Sequence, residues 1–154
     1  MRAVQYQRYG GPEVLEIAEI DEPHAGPGEV RIQVHAAGVN AMDWKLRDGM
    51  MAKGPLTAPR VVGFDAAGIV DEVGAGVDGV ATGDRVFGAG RSTFAEHAVL
   101  TSWATLPHHV PFTEGAAAST PIDTSVRVLD AVDAKEGDTL VISGAAGGLS
   151  LIHI

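Results

Sequence analysis

Two glycine-rich stretches of this 154-residue sequence have the residue types to hold a phosphate. Gly74-Ala75-Gly76-Val77-Asp78-Gly79 matches the dinucleotide pattern G-x-G-x-x-G letter for letter and follows a strand-like run. Gly144-Ala145-Ala146-Gly147-Gly148 matches less well, because Ala145 takes the first glycine position and Ser150 the last. Small residues at such a loop permit a tight turn and let backbone amides approach a pyrophosphate, which the free amides of a following helix then hold. The neighbouring elements therefore decide between the two. After Gly79 comes Val80-Ala81-Thr82-Gly83-Asp84, a second turn leading into another strand, so the first match reads as a hairpin connection. Before Gly144 comes Thr139-Leu140-Val141-Ile142-Ser143, a short apolar strand of the kind buried in a parallel sheet. The second loop is the better phosphate cradle, and a plain glycine turn is its bland alternative.

Other chemistry is largely excluded by composition. The chain has no cysteine, so disulfides and thiolate metal sites are impossible. Of six histidines, only His108-His109 are adjacent, and neighbours on an extended loop point apart, so none is assigned to catalysis or metal. Twenty acidic residues against eleven basic ones give a net charge of −9, which argues against nucleic acid or an anionic membrane surface as partner. With 45% hydrophobic and 20% charged residues the chain is ordinary globular material, with no apolar run of membrane-spanning length and no apolar leader after Met1. These features suit a cytoplasmic protein.

The positioning elements read as mostly β with short helices. Strands are expected over residues 1–6, 14–20, 30–36, 68–73, 84–87 and 93–99, with a turn at Tyr9-Gly10-Gly11-Pro12 and loops over 21–28 and 50–58. In the fourth of these, Ile69 and Val73 are read as set apart from Asp71 on a half-buried strand. Asp43 is expected to cap a short helical turn ended by Gly49, and Thr113 a short helix over 114–118. A second helix is expected over 120–132, with Pro121 in its first turn and Ile122, Ser125, Val126, Leu129 and Val132 on one face. Four strands before any convincing helix indicate a small glycine-rich barrel.

The run P-R-V-V-G-F-D-A-A-G-I-V-D-E-V-G from Pro59, then G-D-R-V from Gly83, resembles the medium-chain dehydrogenase/reductase superfamily. With G-A-A-G-G at Gly144, the chain is most similar to its zinc-independent quinone oxidoreductase branch, from Met1 to about Gly148. The resemblance implies a GroES-like β-barrel catalytic domain over 1–119, followed over 120–154 by the first strand of a truncated Rossmann α/β domain. It implies an NADPH-dependent oxidoreductase, with NADH the other option, transferring hydride to a quinone or conjugated carbonyl. Zinc-dependent relatives carry a cysteine where this chain has Asn40 and a His-Glu pair where it has Phe64-Asp65, so the resemblance implies no zinc.

By the same resemblance, Asn40 and Asp43 lie beside the nicotinamide and substrate cleft as the catalytic candidates. Asn40, Thr124, Gly144, Ala145, Ala146, Gly147 and Gly148 are the cofactor-binding set. Each has a plainer alternative: a turn residue for Asn40, a helix cap for Asp43, a helix flank for Thr124. Arg47 matches a basic position of the branch, and Met50 and Met51 stand near where relatives carry a tyrosine. One strand and the loop after it fall short of the several βαβ units that a dinucleotide-binding fold needs, so the chain is expected to be a fragment of a longer protein, a homodimer by the resemblance. Leu151-Ile152-His153-Ile154 does not resemble the family's continuation, and the tail from Leu149 or Ser150 is expected to be foreign to the original frame. Two other functions stay open: a catalytically silent barrel acting only as a folding or association unit, and an enoyl-thioester reductase of the same superfamily.

Overall fold

A computed structural model describes residues 1–144. Four strands, β3 (Val30–Gly38), β5 (Asp65–Val73), β6 (Arg85–Arg91) and β7 (His97–Thr105), close into an antiparallel barrel in the order β3-β5-β6-β7. Beside it stands a three-stranded sheet in which β1 (Arg2–Tyr6) is flanked by β2 (Glu16–Glu19) and β4 (Arg60–Val61). Phe94 stitches the sheet to the chain before β7, accepting from the Val4 amide and donating to the Val62 carbonyl. Two α-helices, α1 (Ala41–Asp48) and α2 (Phe112–Ala131), and one 3-10 turn at Pro12–Val14 complete the described part.

The barrel interior is filled by Val30, Ile32, Ala66, Val70, Val86, Ala98 and Leu100, β-branched and small residues that suit a tightly curved sheet. Its register corrects the reading of the strand over 68–73. Ile69, Asp71 and Val73 share one sequence parity, yet Val70 is buried and Val73 packs partly against the same cluster. The cause is a one-residue slip: Ile32 pairs with Val70 and Arg31 with Glu72, which leaves Asp71 without a partner in β3. Such a bulge reverses the side of the sheet that later residues face, and Ile69 stays outside the core cluster. Residues 74–84 do form the hairpin connection between β5 and β6, with Gly76, Gly79 and Gly83 at positive φ.

Four further expectations are corrected, in whole or in part. The strand expected over 93–99 begins only at His97 and continues through Trp103 to Thr105, since pairing with β6 carries it on. The two expected helices are a single 20-residue helix, with Pro111 rather than Thr113 at its N-cap and Pro121 inside it. Proline removes one amide and crowds the carbonyl four residues back, a local defect that tertiary contacts can carry; here Thr120 is held from the side by Asp65. The helix therefore crosses the expected boundary at 119/120. Its far half is packed only in part by the expected face: Ser125 is buried and Leu129 half-buried, whereas Ile122, Val126 and Val132 are exposed. Residues 139–143 pair with no described strand, and Val141 is 95% exposed. A strand takes its hydrogen bonds from neighbours, and among the described residues none lies alongside. The stretch instead lies against α2, lining a groove with Thr124, Val128, Leu129 and Val132.

Candidate functional site

Where the end of β3 and the start of α1 meet α2, a cleft of about 540 Å³ opens between barrel and helix. Gly38, Asn40, Met42 and Asp65 line it from the barrel side, and Ala117, Thr120, Pro121 and Thr124 from α2. No basic side chain is among its lining residues. The helix comes close because Gly38 has no side chain: the Ala116 carbonyl occupies the place a β-carbon would take.

Asp65 organises this cleft. It opens β5, pairs with Gly38 and Ala89 across the barrel, and is 1% exposed. Its Oδ2 accepts from Asn40 Nδ2 at 2.9 Å and from the Thr120 amide at 3.1 Å, and its Oδ1 accepts from Thr120 Oγ1 at 2.7 Å. Three donors converge on one buried carboxylate, as burial of such a group demands. Neither Asp65 nor Thr120 stands among the sequence candidates. The available signal is an acid at the head of the small apolar run Ala66-Ala67-Gly68, where a lone carboxylate must find donors.

Asn40 is the N-cap of α1, and Asp43 sits at the third helical position rather than at the expected cap. The two approach each other as a capping box, of which the well-formed half is Asp43 Oδ2 accepting from the Asn40 amide at 2.7 Å. The Asn40 side chain makes no cap hydrogen bond of its own and instead reaches Asp65. Gly49 closes the helix in the left-handed region, as expected, with φ of 91°.

Asp43 is buried behind the cleft and is not one of its lining residues. Burial pushes its carboxyl above the usual carboxylate range, helped by the negative charge of Asp65, while the amides of Asn40 and Gly63 pull the other way. Asp43 Oδ1 has no hydrogen-bond partner among the described residues. The Thr93 hydroxyl, buried beside Gly63, also lacks one.

The structure thus brings Asn40 and Thr124 to one cleft, which Thr120 also lines. Gly144 closes a turn at φ of 77° and is not among the cleft's lining residues; Ala145, Ala146, Gly147 and Gly148 lie outside the described residues. Arg47 is turned away, its Nε donating to the Gly10 carbonyl, and Met50 and Met51 are exposed. His35 stacks on Phe112 and His97 Nε2 lies 3.4 Å from Asp71, so both have structural partners. Among the described residues no group of three His, Asp or Glu side chains could hold a metal, and no helix is long and apolar enough to cross a membrane.

Comparison with known proteins follows the same lines. Residues 26–122 match the alcohol dehydrogenase GroES-like domain. The chain is 37% identical to a quinone oxidoreductase of Rattus norvegicus over 98% of its length. It superposes with a TM-score of 0.86 and 32% identity on a mycobacterial quinone oxidoreductase, which it matches over 99% of its own length and 48% of that chain. An Escherichia coli quinone oxidoreductase complexed with NADPH gives a TM-score of 0.73 and 30% identity, over 84% of this chain and 40% of that one. The chain spans about half the length of the curated relatives it matches, 47% in the rat enzyme.

Proposed function

The chain belongs to the alcohol dehydrogenase GroES-like domain family, in the quinone oxidoreductase branch of the medium-chain dehydrogenases/reductases, and on that premise we propose that it supplies the catalytic half of an NADPH-dependent reductase. The acceptor is a quinone or another conjugated carbonyl. The observation that carries this reading is the cleft between barrel and α2, whose polar lining is Asn40, Thr120 and Thr124 around the buried Asp65.

The donor set fits one end of the cofactor. A cleft with a buried carboxylate and no cation is a poor phosphate site, but carboxamide and hydroxyl side chains suit the carboxamide and ribose hydroxyls of a nicotinamide nucleoside. The phosphates belong instead at a glycine loop opening a helix, the role we assign to residues 144–148. NADPH supplies the hydride when bound. The chain's part is to orient: Asn40 and Thr124 fix the nicotinamide end against the barrel, and Val39 and Met42, both well exposed, offer the apolar surface a flat acceptor needs. We assign residues 1–119 to the catalytic domain and 120–154 to the start of the nucleotide-binding domain.

The reading needs no zinc. Asn40, Phe64 and Asp65 stand where zinc-dependent relatives place their ligands, and Asp65 already spends its oxygens on Asn40 and Thr120. The test is NADPH oxidation by 1,4-benzoquinone with the whole protein that carries this chain. Turnover that falls on Asn40→Ala is the expected result, and neither turnover nor NADPH binding would overturn the reading.

A further inference from the structure

We propose that Asp65 is a positioning residue, whose buried carboxylate ties Asn40 on one wall of the cleft to Thr120 on the other and so sets the geometry between them. The kinetic consequence rests on the reductase reading above; the tie itself rests on the structure alone.

The tie joins three elements distant in sequence. Asp65 heads β5, Asn40 lies 25 residues before it at the cap of α1, and Thr120 lies 55 residues after it in α2. Both Asn40 Nδ2 and the Thr120 amide converge on the same oxygen, Oδ2, so moving either donor disturbs the other. The carboxylate also fixes which way the Asn40 amide lies. Reversing it would set the Asn40 carbonyl oxygen against an acceptor-only group. On the other wall, Thr120 immediately precedes Pro121, whose missing amide weakens the helix at that turn. Asp65 grips the helix there, by both the amide and the hydroxyl of Thr120.

Docking a helix does not require this arrangement. A buried carboxylate met by three neutral donors, with no cationic partner among the described residues, is a costly contact compared with an apolar one. What it provides is direction: two cleft-lining side chains held by hydrogen bonds of fixed geometry. Asp65 is thus the shared anchor through which the lining of α1 and α2 is kept in register.

The test has a spectroscopic and a kinetic arm. In the 15N-labelled chain, the Asn40 side-chain NH₂ signal is identified by its loss in Asn40→Ala. It is expected to shift in Asp65→Asn, and also in Thr120→Val, a near-isosteric change at a residue with no hydrogen bond to Asn40. In the whole protein, Asp65→Asn is expected to lower kcat for NADPH and 1,4-benzoquinone about tenfold, with KM for the quinone changed less. An Asn40 signal unmoved in Thr120→Val overturns the tie, and that variant decides alone if Asp65→Asn does not fold. A moved signal with unchanged kcat overturns the positioning role. If the unsubstituted protein has no turnover, the reductase reading fails, and the Asn40 signal still decides the tie.

Discussion

The carbonyl oxygen of Ala116 occupies the space that a β-carbon on Gly38 would need, so helix α2 is seated backbone-to-backbone on the last residue of β3. The Asp65 β-carbon crowds the same place. Gly38→Ala is therefore expected to lift α2 from the barrel and to cost about 1–3 kcal/mol of stability, as overpacking does. Gly54→Ala is the control, because a β-carbon there meets open space at a residue without positive φ; a change of less than about 0.5 kcal/mol is expected. Denaturant unfolding of both variants checks this. Equal midpoints would mean that α2 does not sit where the structure places it.

Asp43 gives a pH dependence with a definite sign. Burial, then the charge of Asp65, raise its folded-state pKa above that of the unfolded chain, against the opposing amides of Asn40 and Gly63. The folded state then holds this proton more tightly than the unfolded one. Its contribution to stability is fully present below the unfolded pKa and is lost as pH rises through the folded value. Asp43→Asn cannot titrate, and its amide oxygen can still accept from Asn40. The stability of the natural chain relative to Asp43→Asn is expected to grow as pH falls from about 7 to 4. Thermal melting across that range measures it, and a constant difference would show that Asp43 titrates normally.

Zinc retention is the plainest test of the metal-free reading. With no cysteine in the chain, Phe64 in place of a histidine ligand and Asp65 engaged by three donors, stoichiometric zinc is not expected to survive dialysis. Elemental analysis of the dialysed protein gives the answer, and one equivalent of zinc would reverse the assignment.

What could be read from sequence follows from how local each signal is. The strand β3 is legible because its apolar and polar residues alternate within one short window. Gly49 is legible as a helix stop because the need for positive φ is a property of one residue. The parity within β5 is not, because it depends on a bulge created by pairing with β3. The continuity of α2 through Pro121 is also hidden, since its support comes from Asp65, 55 residues away from Thr120. The cleft shows the same division. Asn40 and Thr124 are found through a family resemblance that covers their motifs, whereas Asp65 and Thr120 matter through contacts that only the closed barrel creates. The run over 139–143 reads as a strand by composition, but pairing is supplied by neighbours, and among the described residues it has none.

The two glycine loops make opposite demands, and substitutions separate them. Gly76 lies in the hairpin between β5 and β6 at φ of 77°, and a β-carbon there would meet nothing within 4 Å. Gly76→Ala should therefore act through backbone strain alone, at about 1–2 kcal/mol. It should leave the NADPH dissociation constant of the whole protein unchanged, although the loop matches the dinucleotide fingerprint letter for letter. Gly147 lies outside the described residues, in the loop that matches the fingerprint less well. If that loop opens a helix, its amides face the pyrophosphate, and a valine side chain at Gly147 takes the space the phosphates need. Gly147→Val should raise the NADPH dissociation constant strongly while the barrel, built from residues 30–105, melts as before. Titration and melting of both variants decide the matter. Loss of NADPH binding in Gly76→Ala at an unchanged melting temperature, with binding intact in Gly147→Val, would place the phosphates at the hairpin and overturn the assignment of both loops.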